Sequence, residues 1–323
     1  MNTVSTCMAE VWMNAPQLFT FRSKLGSHAL ADHYRVDIDT DFGSVPLSVR
    51  MLSSRWMDRP QLAARLEDTA RILDALSHPH IIRSAGMTRI QGRPALVTEY
   101  TPGRTLEQLV QQCARSGRPI PLSLIVSIGA SVASAMHHAC ATLNQVHTDL
   151  STEGLVLHPA GHVVVTRFEG STVRSRRPPP DSRERRSTDT QTPEQEPSAT
   201  AEPADVHALG TTLHRLLTLE PPANPVVQKH RWKVRLDSEP ISVDQRRQLT
   251  TLLARMLADA PDDRPDWATI YHHIAALADK PASDAIASFC RDHAQPAPEQ
   301  PVEDDLRGSF WADTPSLPRH QKH

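Results

Sequence analysis

The amino-acid sequence predicts an α+β chain built as two lobes, a small β-rich lobe with one main helix and then a larger α-helical lobe. Three observations carry this expectation. Short β-type runs bounded by glycine and proline turns occupy much of the first hundred residues, a single amphipathic helix interrupts them, and from Thr105 onward the pattern turns helical. Strands gathered at one end and helices at the other bury their apolar faces in an α+β plan.

The first lobe runs from about Phe19 to Tyr100. L-S-V-R-M-L (Leu47–Leu52) is a β-type run preceded by a turn at Gly43. Leu62, Leu66, Ala70, Leu73 and Leu76 then recur every three or four residues, one apolar face of a helix. S-H-P-H-I-I closes that helix at a proline, and A-L-V-T-E-Y (Ala95–Tyr100) follows the turn Q-G-R-P as another apolar run. In the second lobe L-E-Q-L-V gives one helix and Pro121–Thr142 a longer, almost wholly apolar one, which implies burial. Leu155–Leu157 and Val163–Thr166 flank H-P-A-G-H, a hairpin signal. Further helices are expected at Asp205–Leu219, Asp244–Ala258 and Trp267–Ala278. The stretch Arg174–Arg186 mixes arginines with serines and prolines and cannot bury a core. The tail from Lys280 is polar and proline-rich and is expected to be disordered; Trp311 within it is either a short partner-binding motif or a loose aromatic.

The totals narrow the functional classes. With 35 basic and 37 acidic side chains the net charge is −2, which argues for no nucleic-acid partner and no acidic solvating tail. Cys7, Cys113, Cys140 and Cys290 are far apart and form no C-x-x-C pair, so reduced thiols in a cytoplasmic compartment are expected rather than a disulfide framework or zinc site. The first residues lack a signal-peptide pattern, and no stretch approaches 18 uncharged apolar residues, so no membrane span is expected. The pairs His137–His138 and His272–His273 are adjacent on helices and point apart, which disfavours shared metal ligation.

A series of local motifs occurs in a telling order: L-G-S-H-A-L-A (Leu25–Ala31), S-V-R-M-L, S-H-P-H-I-I, E-Y-T-P-G-R-T-L, H-T-D-L-S-T-E-G-L, V-V-V-T-R-F-E-G, T-P-E-Q, A-D-V-H-A-L-G and D-D-R-P. Together they resemble the eukaryotic-type protein kinase domain, especially that of bacterial Ser/Thr kinases. The resemblance implies an N-terminal extension at 1–20, a kinase-like domain at 21–279 and a tail at 280–323. Within the domain it implies an N-lobe at 21–100, a C-lobe at 101–279 and an activation segment at 167–194.

Residue by residue, the resemblance implies nucleotide-binding places at Leu25, Gly26, Arg50, Glu99 and Arg167. Leu25 and Gly26 open the phosphate loop, of whose three glycines only Gly26 remains. Arg50 stands where the strand lysine belongs, and Thr69 where that lysine's glutamate partner belongs, with Glu67 on another helical face. Glu99 begins the hinge that would meet adenine. Asp149 keeps the place of the catalytic base. Thr148 replaces the arginine before it, Ser151 the phosphate-steadying lysine and Gly154 the metal-binding asparagine. Arg167 takes the place of the metal-binding aspartate, and Glu169 that of the glycine after Phe168. Phe168, Glu194, Asp205 and Arg264 keep structural roles, with Arg264 expected to pair with Glu194.

The pattern implies a kept architecture and a damaged chemistry. Mg²⁺ takes hard oxygen ligands, and phosphoryl transfer depends on it for charge neutralisation. With Gly154 and Arg167 in the ligand places, no metal site is expected. Three alternatives stay open for Arg167: it stands in as a cation on nucleotide phosphate, it fills the cleft by pairing with Asp149, or a register slip lets Glu169 reach a metal instead. The expected function is a catalytically impaired pseudokinase that binds another signalling protein, with ATP without Mg²⁺ as its one candidate cofactor. The alternative is an atypical but active Ser/Thr protein kinase. The arginine-rich segment is either solvated chain or a docking and phosphorylation site.

Overall fold

The computed structural model describes residues 17–27, 31–40, 43–143, 150–168, 201–222, 224–277, 283–296, 298 and 300–312. The chain divides into two compact units, one of residues 1–77, 82–101 and 298–323, the other of 78–81 and 102–297.

The N-terminal unit contains β1 (Gln17–Ser27), β2 (Ala31–Thr40), β3 (Gly43–Leu52), helix α1 (Pro60–Ala75), β4 (Ser84–Ile90), β5 (Arg93–Glu99) and, from the far end of the chain, β9 (Ser309–Ala312). The strands close into an antiparallel barrel in the order β1-β2-β3-β5-β4-β9. Alternate residues face inward, as the two-residue period of a strand requires: Phe19 and Phe21, Tyr34, Val36 and Ile38, then Leu47, Val49 and Met51. α1 starts with Pro60 in its first turn, where a missing N–H costs nothing, and buries Leu66, Thr69, Ala70 and Leu73 against β4 and β5.

Two expectations change here. β1 begins at Gln17, inside the stretch expected to be an extension. The tail expected to be disordered contributes a helix, a 3₁₀ turn and a strand. Val302 and Leu306 are buried in the barrel core, and Phe310 stacks edge-on against Phe21 with ring centroids 5.8 Å apart. Trp311 is held in β9 opposite Leu18, and both side chains are exposed. The tail earned its expectation from composition, but composition reports what a segment can bury by itself, not what an open sheet edge can template.

The C-terminal unit contains β6 (Arg104–Thr105), α2 (Leu106–Ser116), α3 (Leu122–Leu143), β7 (Leu155–Leu157), β8 (Val163–Val165), α4 (Ala201–Thr218), α5 (Pro225–Asp237), α6 (Val243–Met256), α7 (Trp267–Leu277) and α8 (Ser283–His293). α2 and α6 open on reciprocal capping boxes, Thr105 with Gln108 and Ser242 with Gln245. Among the described residues, α3 alone is long and apolar enough, by length and composition, to cross a membrane. It packs against α7, α4 and β8, and eleven of its residues are buried, as in the central helix of a folded core. At Gly103 φ is 149°, and a Cβ would lie 2.3 Å from the Leu157 carbonyl oxygen, so only glycine lets β6 lie against β7 there.

Candidate functional site

In the N-terminal unit, Leu25 and Gly26 lie within β1 rather than in a loop, with Gly26 opposite His33 of β2. Leu25 is exposed, and among the described residues nothing lies within 4 Å of a Cβ built at Gly26, so they leave room for a side chain there. Arg50 is half-buried in β3 between His33 of β2 and Leu96 of β5. Thr69, in the place of the glutamate partner, is buried, and its hydroxyl donates to the carbonyl of Arg65 one turn back at 3.0 Å. Glu67 is exposed and lies 3.8 Å from Arg71 on the solvent side of α1. Glu99 ends β5, its N–H donating to the Arg83 carbonyl at 3.0 Å. Burial pushes its carboxyl up, against the opposing charge of Arg83.

In the C-terminal unit, Asp149 lies outside the described residues, but the loop that follows it is described and tightly braced. Gly154 N–H donates to Ser151 O at 3.0 Å, and Gly154 O accepts from both the N–H (2.8 Å) and the hydroxyl (3.0 Å) of Thr166. Thr152 fixes the loop to the helices. Its hydroxyl donates to Glu107 Oε2 at 2.7 Å, and its carbonyl accepts from Glu107 N–H at 3.0 Å. The other oxygen of Glu107 accepts from Arg215 Nη2 at 2.7 Å and Gln111 Nε2 at 2.9 Å. This carboxylate joins α2, α4 and the loop in one network.

Arg167 follows β8, its side chain only 12% exposed, and both terminal nitrogens lie 3.4 Å from Glu153 Oε2. Glu153 is therefore an ionic partner of Arg167. Of the expected alternatives, pairing with Asp149 and a metal role for Glu169 fall on residues outside those described. Phe168 is fully buried and Asp205 is 2% exposed. Arg264 is buried too, but donates to carbonyl oxygens of Ala258 (2.9 Å), Pro203 (3.0 Å) and Asp259 (3.2 Å). Its expected partner Glu194, with the part of the expected activation segment that follows Phe168, lies outside the described residues.

Fit to Mg²⁺ can be judged on the two described ligand places. Gly154 offers no side-chain oxygen, Arg167 is a cation, and the carboxylate beside them, Glu153, is already engaged by Arg167. Among the described residues no cluster of three or more acidic, histidine or cysteine groups could hold a metal. The donor set does not fit a hard divalent cation.

Sequence reasoning missed Glu153, Thr152 and Glu107. Glu153 was visible as the one carboxylate kept between Ser151 and Gly154. The Thr152–Glu107 bond spans 45 positions and leaves no local signal.

Comparisons agree with the geometry. The family described as protein tyrosine and serine/threonine kinase matches residues 19–274. The tyrosine-protein kinase MasK of Myxococcus xanthus is 23% identical over 81% of this chain and 41% of its own. The probable serine/threonine-protein kinase PknB of Lactococcus lactis is 25% identical over 45% of this chain and 22% of its own. The wall-associated receptor kinase-like 14 of Arabidopsis thaliana is 29% identical over 43% of this chain and 19% of its own. The chain thus spans less than half the length of these curated relatives. Among solved structures, the PknI kinase domain of M. tuberculosis superposes with a TM-score of 0.57 at 20% identity, covering 80% of this chain and 95% of that one, which speaks to the fold alone. Since the family match extends over well more than half of the sequence, on a two-unit fold with the motifs in order, the chain belongs to the protein tyrosine and serine/threonine kinase family.

Proposed function

We propose that this chain is a pseudokinase: a kinase-fold module in the cytoplasm that works by binding another signalling protein and has lost Mg²⁺-dependent phosphate transfer. The observation that carries this reading is the Arg167–Glu153 pair, a cation in a metal ligand's place that already faces a neighbouring carboxylate. Thr69 supports it, because its hydroxyl is spent on its own helix and cannot replace the carboxylate that would orient a cation at Arg50. Removing one group that stabilises transition-state charge costs about 3 kcal/mol, and here several are substituted together. The free thiols of Cys113, Cys140 and Cys290 suit a reducing compartment. Any nucleotide bound by this site meets Arg167 as its cation, so ATP binding is expected to be independent of metal.

The competing reading, an atypical active Ser/Thr protein kinase, draws on Asp149 at the base position and on T-P-E-Q (Thr192–Gln195). A thermal-shift titration with ATP, with and without Mg²⁺ or Mn²⁺, separates the two, since a ligand that binds only the folded state raises the melting temperature. A shift indifferent to metal, or no shift, with no phosphate incorporated into a Ser/Thr substrate, is the expected result. A shift that requires metal, together with phosphate incorporation, would overturn the pseudokinase reading.

A further inference from the structure

The N-terminal barrel is finished by a segment that belongs to it by contact but not by sequence. Strands β1 to β5 are all delivered by residue 99, and the chain then spends residues 102–297 in the other unit before returning at 298. What it returns is V-E-D-D-L-R-G-S-F-W-A (Val302–Ala312), carrying a single 3₁₀ turn and a four-residue strand, too little structure to stand alone. The segment lies between the edges of β1 and β4 and is held as a bound peptide would be. β9 pairs with β1 from Gln17–Ala312 to Thr20–Ser309 and meets β4 at Ile90–Ala312. Beyond the strand, Lys24 N–H donates to Gln300 O at 3.0 Å, Phe21 N–H to Gly308 O at 3.2 Å, and the Gln91 side chain to Asp305 O at 3.1 Å.

Main-chain pairing gives such a site affinity, and side-chain pockets give it selectivity. Three kinds of pocket are filled. Val302 and Leu306 are buried in the core cluster, Phe310 stacks on Phe21, and Glu303 is bound by Lys24 Nζ and, at 3.1 Å, by the Tyr34 hydroxyl. Lys24 is held in turn by Asp32 at 3.4 Å, and Asp32 by Arg93 at 3.5 Å and the Ser27 hydroxyl at 2.8 Å. Lys24 and the Tyr34 hydroxyl thus converge on one acidic position of the segment, Glu303, with Asp32 holding Lys24 in place.

We propose that the gap between β1 and β4 is a strand-docking site, that its ligand is an extended acidic-aromatic peptide of the pattern V-E-x-x-L-x-x-x-F, and that residues 300–312 of the same chain occupy it as a detachable latch. Attachment in cis places the ligand at a high effective concentration, so a peptide of modest intrinsic affinity stays bound until the tether is cut. The latch also covers two sheet edges that would otherwise be open to other strands.

The test uses the full chain with a protease site inserted between His293 and Gln300. After cleavage the fragment that carries residues 300–312 is expected to leave on dilution, and a fluorescent synthetic copy of residues 298–314 is expected to bind in its place. A copy carrying Glu303→Lys should bind at least about tenfold more weakly, because it puts a like charge against Lys24. In the uncut chain, Glu303→Gln should speed amide exchange at Phe21 and Lys24 several-fold and leave the helices of the C-terminal unit unchanged. If cleavage unfolds the barrel and no peptide rebinds, the segment is an integral strand and the proposal fails. If the Glu303→Lys copy binds as well as the natural one, the recognition argued here is wrong. A stable dimer that exchanges tails would overturn the assignment in cis.

Discussion

In the C-terminal unit, the charges around the loop 150–154 are answered by groups of the same unit: Glu107 of α2 accepts from Thr152, Arg215 and Gln111, and Glu153 faces Arg167. In the N-terminal unit, the cluster of Lys24, Asp32, Tyr34 and Arg93 is completed by Glu303, which arrives some two hundred residues after β5. Both arrangements obey one rule, that a charge leaving water must be paired. They differ in permanence. A carboxylate within the first turn of a packed helix moves only if that helix moves, while one on a short docked segment can depart with it. The contrast separates a fixed brace from a latch.

The sharpest way to break this comparison is to remove the brace. Glu107→Ala takes away the carboxylate that three side-chain donors share, in a site where Glu107 and Arg215 are each only 16% exposed. Breaking a mostly buried pair from one side costs about 3–5 kcal/mol. Chemical denaturation should show a loss of that size, centred on the C-terminal unit. A loss below about 1 kcal/mol would mean that the loop is held by something else.

Acid should distinguish the units next. His214 is fully buried in α4, and its Nδ1 accepts the Trp232 indole N–H at 2.7 Å. Burial pushes its pKa from 6.5 down to about 4. His207 on the same helix is pushed to about 4 by burial and then by the Arg264 charge. A histidine held below its unfolded value contributes nothing unfavourable above pH 6.5 and costs stability as pH falls from there towards 4, because the unfolded chain takes the proton first. For His214 that is on the order of 3 kcal/mol at the acid end. Near-ultraviolet circular dichroism of Trp232 and Trp267, followed from pH 7 to 4, should report loosening of the C-terminal unit; a signal flat across that range would contradict it.

What was legible in the sequence follows the same division. Leu66, Ala70 and Leu73 gave α1 because local periodicity and final burial coincide. The hairpin β7–β8 was readable from H-P-A-G-H, whose Gly161 takes a positive φ of 92°. The alternation of Tyr34, Val36 and Ile38 was also present and marks β2, although no motif drew attention to it. β9 was not readable, because Ser309–Ala312 is a strand only where β1 and β4 supply its partners. At the site, the substitutions at Thr69, Gly154 and Arg167 were visible as departures from a family pattern. The Glu153 pairing and the Glu107 brace were not, since each depends on groups brought together from separate elements.

The smallest expected effect bears most directly on the latch. Burial pushes the Glu303 carboxyl up, but hydrogen bonds from Lys24, its own backbone and Tyr34, with the Lys24 charge, hold it below its ordinary 4.5. Burial pushes Lys24 down, but its bond to Glu303 and the charges of Asp32 and Glu303 raise it above its ordinary 10.5. A depressed carboxylate contributes stability above its unfolded pKa and loses it as pH falls through the folded one. A raised amine contributes below its unfolded pKa and loses it as pH rises through the folded one. The pair therefore works at full strength between 4.5 and 10.5. Because Glu303 is 40% exposed, Glu303→Gln is expected to cost about 1 kcal/mol or less at pH 7, and less again in high salt. Global stability is a blunt reader of so small a change, whereas exchange at Lys24 and Phe21 senses only the segment that covers them. If Glu303→Gln lowers global stability by 3 kcal/mol or more, the tail is as fixed as the Glu107 brace, and the distinction between brace and latch disappears.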